Sequence, residues 1–268
     1  MAWADHYKRE YDPASGSPPE KEPRLDMYLI VHEDADILVV DKLAPIPVQK
    51  DKSKDPDLQS ILRHSVSAKR PFIEAAHRLD RRTSGIVLFA KNIQALRKLE
   101  AAFRDRLVRK TYLACLEAEP QPAQGVLVHG LRFSARSNKT IALSWTPEPV
   151  GQDENPSHGE RPGHGPSPNQ ASKAELSYRL ILKSDRYFFV EAEPRTGRHH
   201  QIRAQFSAIG CPIKGDLKYG SRRSCDSGRI MLHAYSLGFS HPRTGAPMEF
   251  TAPFPDDEEL WQLLVGII

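Results

Sequence analysis

The chain has 268 residues, of which 39% are hydrophobic and 27% are charged, and its formal net charge is +4. This length allows a sizeable core, in one large domain or in two closely packed halves. No apolar run approaches the ~20 residues of a membrane span, and the N-terminus lacks a signal-peptide core. The composition therefore argues against a membrane protein or a secreted one and predicts a cytoplasmic location.

Cysteine and histidine usage argues against disulfides and metal sites. The three cysteines, Cys115, Cys211 and Cys225, contain no C-x-x-C pair, and their odd number disfavours a disulfide framework. The 11 histidines form no H-E-x-x-H motif and no mixed Cys/His cluster. We therefore expect a reducing compartment and no bound metal.

The first predicted elements begin after a polar N-terminal tail, residues 1–26, which is rich in Pro, Glu and Ser. The domain is expected to span residues 27–268. It opens with two β-rich runs, MYLIVHE and DILVVDK, and the turn-like E-D-A-D between them predicts an antiparallel pair. DLQSILRHSV then predicts a short helix.

The next stretch predicts a buried strand followed by an amphipathic helix. GIVLFAK, from Gly85 to Lys91, is a continuous apolar run of strand length, and Asn92 is placed to cap the segment after it. In that segment apolar residues recur at spacings of three and four, as on one face of a helix. They are Ile93, Leu96, Leu99, Phe103 and Leu107.

Most later elements are predicted strands: KTYLACLE, IALSW, KAELSYRLILK and RYFFVEAE. RHHQIRAQFSAIG is a helix candidate ending at Gly210. Because strands outnumber helices and do not alternate with them, the pattern predicts an α+β fold: a largely antiparallel, mixed β-sheet with flanking helices. Residues 147–170, rich in Pro and Gly, predict a disordered surface insertion.

Positive charge is concentrated in two segments. Residues 77–110 contain ten Lys/Arg against three Asp/Glu, and residues 195–229 contain eight against two, so the rest of the chain is net acidic. Such segments indicate a polyanion partner such as nucleic acid. Two solvated helix faces are the alternative.

The segment AAHRLDRRTSGIVLFAK contains one acid, Asp80, among Arg78, Arg81 and Arg82, just before the buried strand. From the residues alone, Asp80 could simply cap backbone amides in a turn. However, H-R-L-D-R-x-T-S-G followed by an apolar strand and A-K resembles the signature of the RluA-type RNA pseudouridine synthases. Four more segments resemble that family in order: ILVVDKLAPIPVQ, RKTYLA, RTGRHHQIRAQFSAIGCPIKGD and LHAYSLGFSHPRTG.

The resemblance implies the pseudouridine synthase catalytic fold and the isomerisation of specific uridines in structured RNA, ribosomal or transfer. It implies that Asp80 is the catalytic carboxylate, that Arg203 pairs with it and that Tyr112 acts on the target base. Burial would raise the pKa of such an aspartate, so a cationic partner is needed to keep it ionised. Arg203 could instead contact phosphate, and Tyr112 could be a core residue.

The remaining implied site residues bind the substrate. Arg78 would fill the space left by a uridine turned out of the RNA, although a simple surface charge is the alternative. Ile202 would form an apolar floor beneath the uracil. His77, Thr83 and His200 would support the pocket.

The reaction needs no redox change and no external group, so no cofactor is expected. Neither a membrane nor an obligate protein partner is expected, and the chain is expected to be a monomer. An RNA-binding protein without activity would also explain the basic segments. A metal-dependent nuclease or hydrolase would need a cluster of acidic ligands, in which the basic segments are poor.

Overall fold

The computed structural model describes residues 27–43, 45–53, 55–65, 72–145, 171–256 and 258–268. The predicted tail at 1–26 and the predicted insertion at 147–170 lie outside these ranges. None of the helices in the described ranges is long and apolar enough to cross a lipid bilayer.

One sheet of eleven strands organises the described part of the chain, in the order β1-β2-β4-β10-β5-β9-β8-β6-β7, with β3 beside β4 and β11 beside β10. Among these strands only β4 and β10 pair in parallel, so the predicted α+β fold with a largely antiparallel, mixed sheet is confirmed. The strands are β1 (Tyr28–Glu33), β2 (Ile37–Lys42), β3 (Glu74–Ala75), β4 (Ser84–Ala90), β5 (Arg109–Leu116), β6 (Gln124–Ser134), β7 (Lys139–Ser144), β8 (Ser172–Lys183), β9 (Phe188–Pro194), β10 (Leu232–Ser240) and β11 (Pro247–Thr251). The helices are α1 (Leu58–Ser65), α2 (Ile93–Arg104) and α3 (Gln201–Ala208), and short 3-10 turns lie at Leu217–Tyr219 and Glu259–Leu264.

The β1–β2 hairpin forms where the sequence predicts it. The Oδ1 of Asp34 accepts hydrogen bonds from the backbone N–H groups of Asp36 and Ile37, at 2.7 and 2.9 Å. A short acidic side chain that satisfies turn amides in this way favours a tight reversal. The two strands then pair antiparallel.

Strand β4 is buried along its whole length because both of its faces are covered. Ile86 and Leu88 belong to the apolar cluster that includes Leu99 of α2. Val87 and Phe89 belong to a second cluster, with Leu58 and Leu62 of α1. The continuous apolar run in the sequence therefore reflects a strand between two helical layers.

Helix α2 starts at the predicted cap and ends earlier than predicted. The Oδ1 of Asn92 accepts from the N–H of Ala95 at 2.8 Å, which satisfies one of the free N-terminal amides. The helix ends at Arg104. Leu107, predicted to lie on its apolar face, therefore falls beyond the helix and is 73% exposed, and Ile93 is 42% exposed.

The third helix packs against the other half of the sheet. Helix α3 is shorter than predicted because His200 adopts a left-handed conformation, with φ 51° and ψ 27°, immediately before it. Ile202 and Phe206 of α3 join the core cluster that contains Leu113 of β5 and Val190 of β9.

Strand β6 was not predicted from the sequence. Gly125, His129 and Gly130 interrupt its apolar residues, and one face of the strand is exposed. Apolar and polar residues therefore do not alternate clearly along it.

Candidate active site

A broad cleft with a volume of about 1450 Å³ is bordered by the loop between β3 and β4, by β5, and by the segment leading into α3. These elements are distant in sequence and meet because β5 lies at the centre of the sheet, between β10 and β9. All eight site residues predicted from the sequence line this cleft: His77, Arg78, Asp80, Thr83, Tyr112, His200, Ile202 and Arg203.

The Asp80 carboxylate is held by a bridging arginine. Nη1 of Arg203 donates to Oδ2 of Asp80 at 2.8 Å. The other side of the same guanidinium donates to Asp216, from Nε at 2.7 Å and from Nη2 at 2.9 Å. Because this second pair is bidentate, it fixes the plane of the guanidinium and thereby the direction of the bond to Asp80.

Electrostatics favour the ionised form of Asp80. Burial by itself raises the pKa of this carboxyl, but the opposing effects, of which the positive charge of Arg203 is the largest, lower the pKa below its ordinary value. The Asp80 side chain keeps 21% of its surface exposed toward the cleft. A charged carboxylate is thus available to a bound molecule at neutral pH.

The His200 ring is next to the same carboxylate, and its Nε2 is 3.8 Å from Oδ2 of Asp80. Burial lowers the pKa of His200 to about 3, so its ring is neutral at pH 7. The Tyr219 hydroxyl accepts the N–H of Thr140 at 2.8 Å and lies 2.9 Å from Nδ1 of His200. If that hydroxyl donates to Nδ1, all three groups are satisfied and the ring proton of His200 stands on Nε2, beside Asp80.

Tyr112 and Thr83 both line the cleft, but the Thr83 hydroxyl oxygen is itself buried. Burial raises the pKa of Tyr112 far above its ordinary value, and the negative charge of Asp80 raises it further, so the phenol keeps its proton. The buried Oγ1 of Thr83 has no hydrogen-bond partner within the described ranges.

The other residues predicted for the site also line the cleft. His77 accepts the backbone N–H of Leu88 at 3.1 Å through Nε2, and burial lowers its pKa to about 3. Ile202 is 6% exposed and contributes an apolar surface to the cleft. Arg78 is exposed at the cleft.

A buried lysine supports the Asp80 loop from behind. Lys42, at the end of β2, is fully buried, and its Nζ donates to the carbonyl oxygens of Ile46 at 2.9 Å and Arg81 at 3.1 Å. Burial lowers the pKa of Lys42 to about 7, although the nearby charge of Asp80 opposes this. The bond to Arg81 anchors the backbone next to Asp80.

Sequence reasoning assigned no role to the residues that hold this site in place. Asp216 lies in K-G-D, at the end of the family-like segment RTGRHHQIRAQFSAIGCPIKGD, so its acidic side chain was a usable signal. No local pattern marked Lys42, Thr140 or Tyr219, because their partners lie at least 19 residues away, apart from the bond between Lys42 and Ile46.

The cleft is strongly cationic. Eight Arg/Lys side chains line it against three Asp/Glu, and they come from both basic segments. The segment 77–110 contributes Arg78, Arg104, Arg106, Arg109 and Lys110, and the segment 195–229 contributes Arg195, Arg198 and Arg203. A cleft of this sign attracts a polyanion.

Within the described ranges, one group of side chains could hold a metal ion: Asp34, Asp36 and His241. None of the three lines the cleft. Their polar atoms already bond to protein groups, since Arg243 donates to Asp36 at 2.7 Å and His241 lies 3.1 Å from Asp34. The prediction that no metal is required stays a prediction.

Comparisons with known proteins agree on one family. Residues 36–208 match the family model described as RNA pseudouridylate synthase. A ribosomal large subunit pseudouridine synthase C from Vibrio vulnificus (strain CMCP6) is 32% identical over 240 residues, which cover 86% of this chain and 67% of that protein. An uncharacterized RNA pseudouridine synthase from Bacillus subtilis (strain 168) is 31% identical over 244 residues, 87% of this chain and 70% of that protein.

A solved structure supports the same relationship. The human RNA pseudouridylate synthase domain containing 1 superposes with a TM-score of 0.62 at 27% identity, covering 85% of this chain and 84% of that one.

Proposed function

Because the chain belongs to the RluA-type family of RNA pseudouridine synthases and is an isomerase of uridine in RNA, we propose that Asp80 is its catalytic carboxylate. The observation that supports this is the 2.8 Å ion pair between Asp80 and Arg203 inside the cationic cleft. The pair keeps a partly exposed carboxylate charged where an RNA backbone would be attracted.

The reaction breaks the bond between ribose C1′ and uracil N1, turns the base, and joins C1′ to C5; C5 then loses its proton, and N1 gains one. Asp80 acts on the ribose or the base as nucleophile or general base. Tyr112 keeps its phenol proton and packs its ring against the uracil, and Ile202 supplies the apolar floor. The chemistry transfers no electrons to or from an outside group, so the enzyme uses no cofactor.

Substrate binding is assigned to the residues around Asp80. Arg78 enters the space that the turned-out uridine leaves and pairs with phosphate through its planar guanidinium. Thr83, which is buried beside the cleft, supports the pocket. His200 lies beside the Asp80 carboxylate, with Nε2 3.8 Å from Oδ2, and His77 holds the loop against β4.

We propose ribosomal RNA of the large subunit as the substrate, since several relatives are named ribosomal large subunit pseudouridine synthases. The enzyme acts in the cytoplasm as a monomer, and residues 27–268 form one catalytic domain. A transfer RNA target is the alternative outcome of the mapping experiment below.

The decisive experiment maps pseudouridine in cellular RNA from strains with the gene, without it, and with Asp80→Asn. The site lost without the gene identifies the substrate, and Asp80→Asn is expected to leave that site unmodified while binding the RNA with near wild-type affinity. Asp185→Asn is the matched control, because this exposed aspartate lies outside the cleft. Substantial product from Asp80→Asn would remove Asp80 from the catalytic role.

A further inference from the structure

A row of rings leads away from the Asp80 carboxylate along one wall of the cleft. His200 lies 3.8 Å from Asp80, measured from Nε2 to Oδ2. The ring of His199 stacks on that of His200, with centroids 3.7 Å apart and an interplanar angle of 25°. Phe133, at the end of β6, then meets His199 edge to face, with centroids 4.7 Å apart.

The His199 ring is fixed and neutral. The Thr140 hydroxyl donates to the carbonyl oxygen of His199 at 2.9 Å, so its oxygen is left to accept the Nδ1–H of the same residue, also at 2.9 Å. Burial lowers the pKa of His199 below its ordinary value, although the charge of Asp80 opposes this. With the proton on Nδ1, Nε2 is a hydrogen-bond acceptor.

Phe133 is an exposed aromatic residue in a polar, cationic cleft. It is 44% exposed, and it lines the cleft together with Arg195 and Arg198, both of which are exposed. Its neighbour in β6, Leu131, is instead buried in a small core cluster. The ring of Phe133 is thus partly left out of the protein interior, although it packs against His199.

Flat rings beside guanidinium groups are the arrangement that binds unpaired nucleotides. Each base offers a π face for stacking, and the cations contact the adjoining phosphates. We propose that Phe133 and His199 form a stacking subsite for an unpaired base that neighbours the target uridine in the RNA. This inference rests on the proposed function, since it takes Asp80 as the point where the target uridine lies.

The subsite has a chemical preference as well as a position. It begins beyond His200, so it receives a neighbouring nucleotide and not the target itself. The His199 Nε2 acceptor favours a base that presents an N–H donor at its edge. Stacking of this kind contributes to affinity for RNA, whereas the isomerisation step takes place at Asp80.

The test measures RNA binding and single-turnover rates with an RNA hairpin that carries the mapped target uridine. Phe133→Ala is expected to weaken binding by about 5- to 150-fold, the usual range for one stacked base, with an unchanged rate at saturating RNA. Phe133→Trp is expected to keep the affinity. Phe72→Ala is the matched control, because Phe72 is 37% exposed and lies outside the cleft.

An abasic nucleotide is then moved through the positions that flank the target. At one of these positions the abasic nucleotide should weaken RNA binding by the wild-type protein. With that RNA, Phe133→Ala and wild type should bind equally well, since the base that stacks on Phe133 is already missing. An unchanged affinity of Phe133→Ala, or a penalty that persists with every abasic RNA, would overturn the subsite. If wild-type protein forms no pseudouridine on any cellular RNA, the proposed function itself fails, which is a different result.

Discussion

Replacing Arg203 by Met removes the cation shared by two carboxylates. Arg203 and Asp216 are only 5% and 1% exposed. Breaking a buried ion pair by removing one partner costs about 3–5 kcal/mol, a large part of the roughly 5–15 kcal/mol that stabilises a typical domain. Arg203→Met alone should therefore lower the urea midpoint strongly, and its activity would reflect unfolding as well as catalysis.

The double variant Arg203→Met/Asp216→Asn separates the two effects. Neutralising Asp216 removes the uncompensated buried charge, so much of the lost stability should return. Asp80 still lacks its cation, and burial then raises its pKa. The ionised fraction of Asp80 falls about tenfold for each pH unit below that raised pKa.

The assay is the single-turnover rate with saturating RNA between about pH 6 and about pH 9, a range that extends well above the ordinary carboxyl pKa. The wild-type rate should show no loss from Asp80 protonation there, because its pKa is lowered. The double variant should be slowest at low pH and recover in part as the pH rises. A wild-type rate throughout would refute the ion-pair assignment. If that wild-type rate came with weaker RNA binding, Arg203 would instead be a phosphate contact.

Three further predictions concern charge, packing and protonation. If at least six of the eight cations that line the cleft contact phosphate, RNA affinity should fall about a thousandfold between roughly 50 and 200 mM salt. An affinity that does not change with salt would contradict the idea that the cleft faces the RNA. Gly85→Ala should cost about 3 kcal/mol or more in urea unfolding, because a Cβ there would lie 2.3 Å from the carbonyl oxygen of Ala234 at a φ of +112°. Gly245→Ala, with nothing within 4 Å, is the control and should cost only backbone strain. Burial lowers the pKa of His77 to about 3 in the folded protein. As the pH drops below the ordinary histidine pKa, the unfolded chain therefore takes up a proton at His77 that the folded protein does not, and the free energy of unfolding falls. The free energy of unfolding is measured at pH steps from about 6.5 to about 4. Over this range it should fall less for His77→Gln than for wild type, by up to about 1.4 kcal/mol for each pH unit.

The sequence by itself determined the local elements and the position of the main motif. The Asp34 turn, the Asn92 cap and the apolar run of β4 depend on residues a few positions apart, so capping and periodicity predicted them correctly. The family resemblance singled out the residues around Asp80. Both basic segments could be read from composition, although not the fact that they line one cleft.

Only the tertiary structure decided how those residues act together. Arg203 meets Asp80 across 123 positions of sequence, and its second bond to Asp216 turns an expected ion pair into a three-residue bridge. Leu107 does not lie on the predicted helix face, because α2 ends at Arg104. Such contacts depend on which strands become neighbours in the sheet. No local periodicity encodes that choice, because it follows from burying several elements against one another at once.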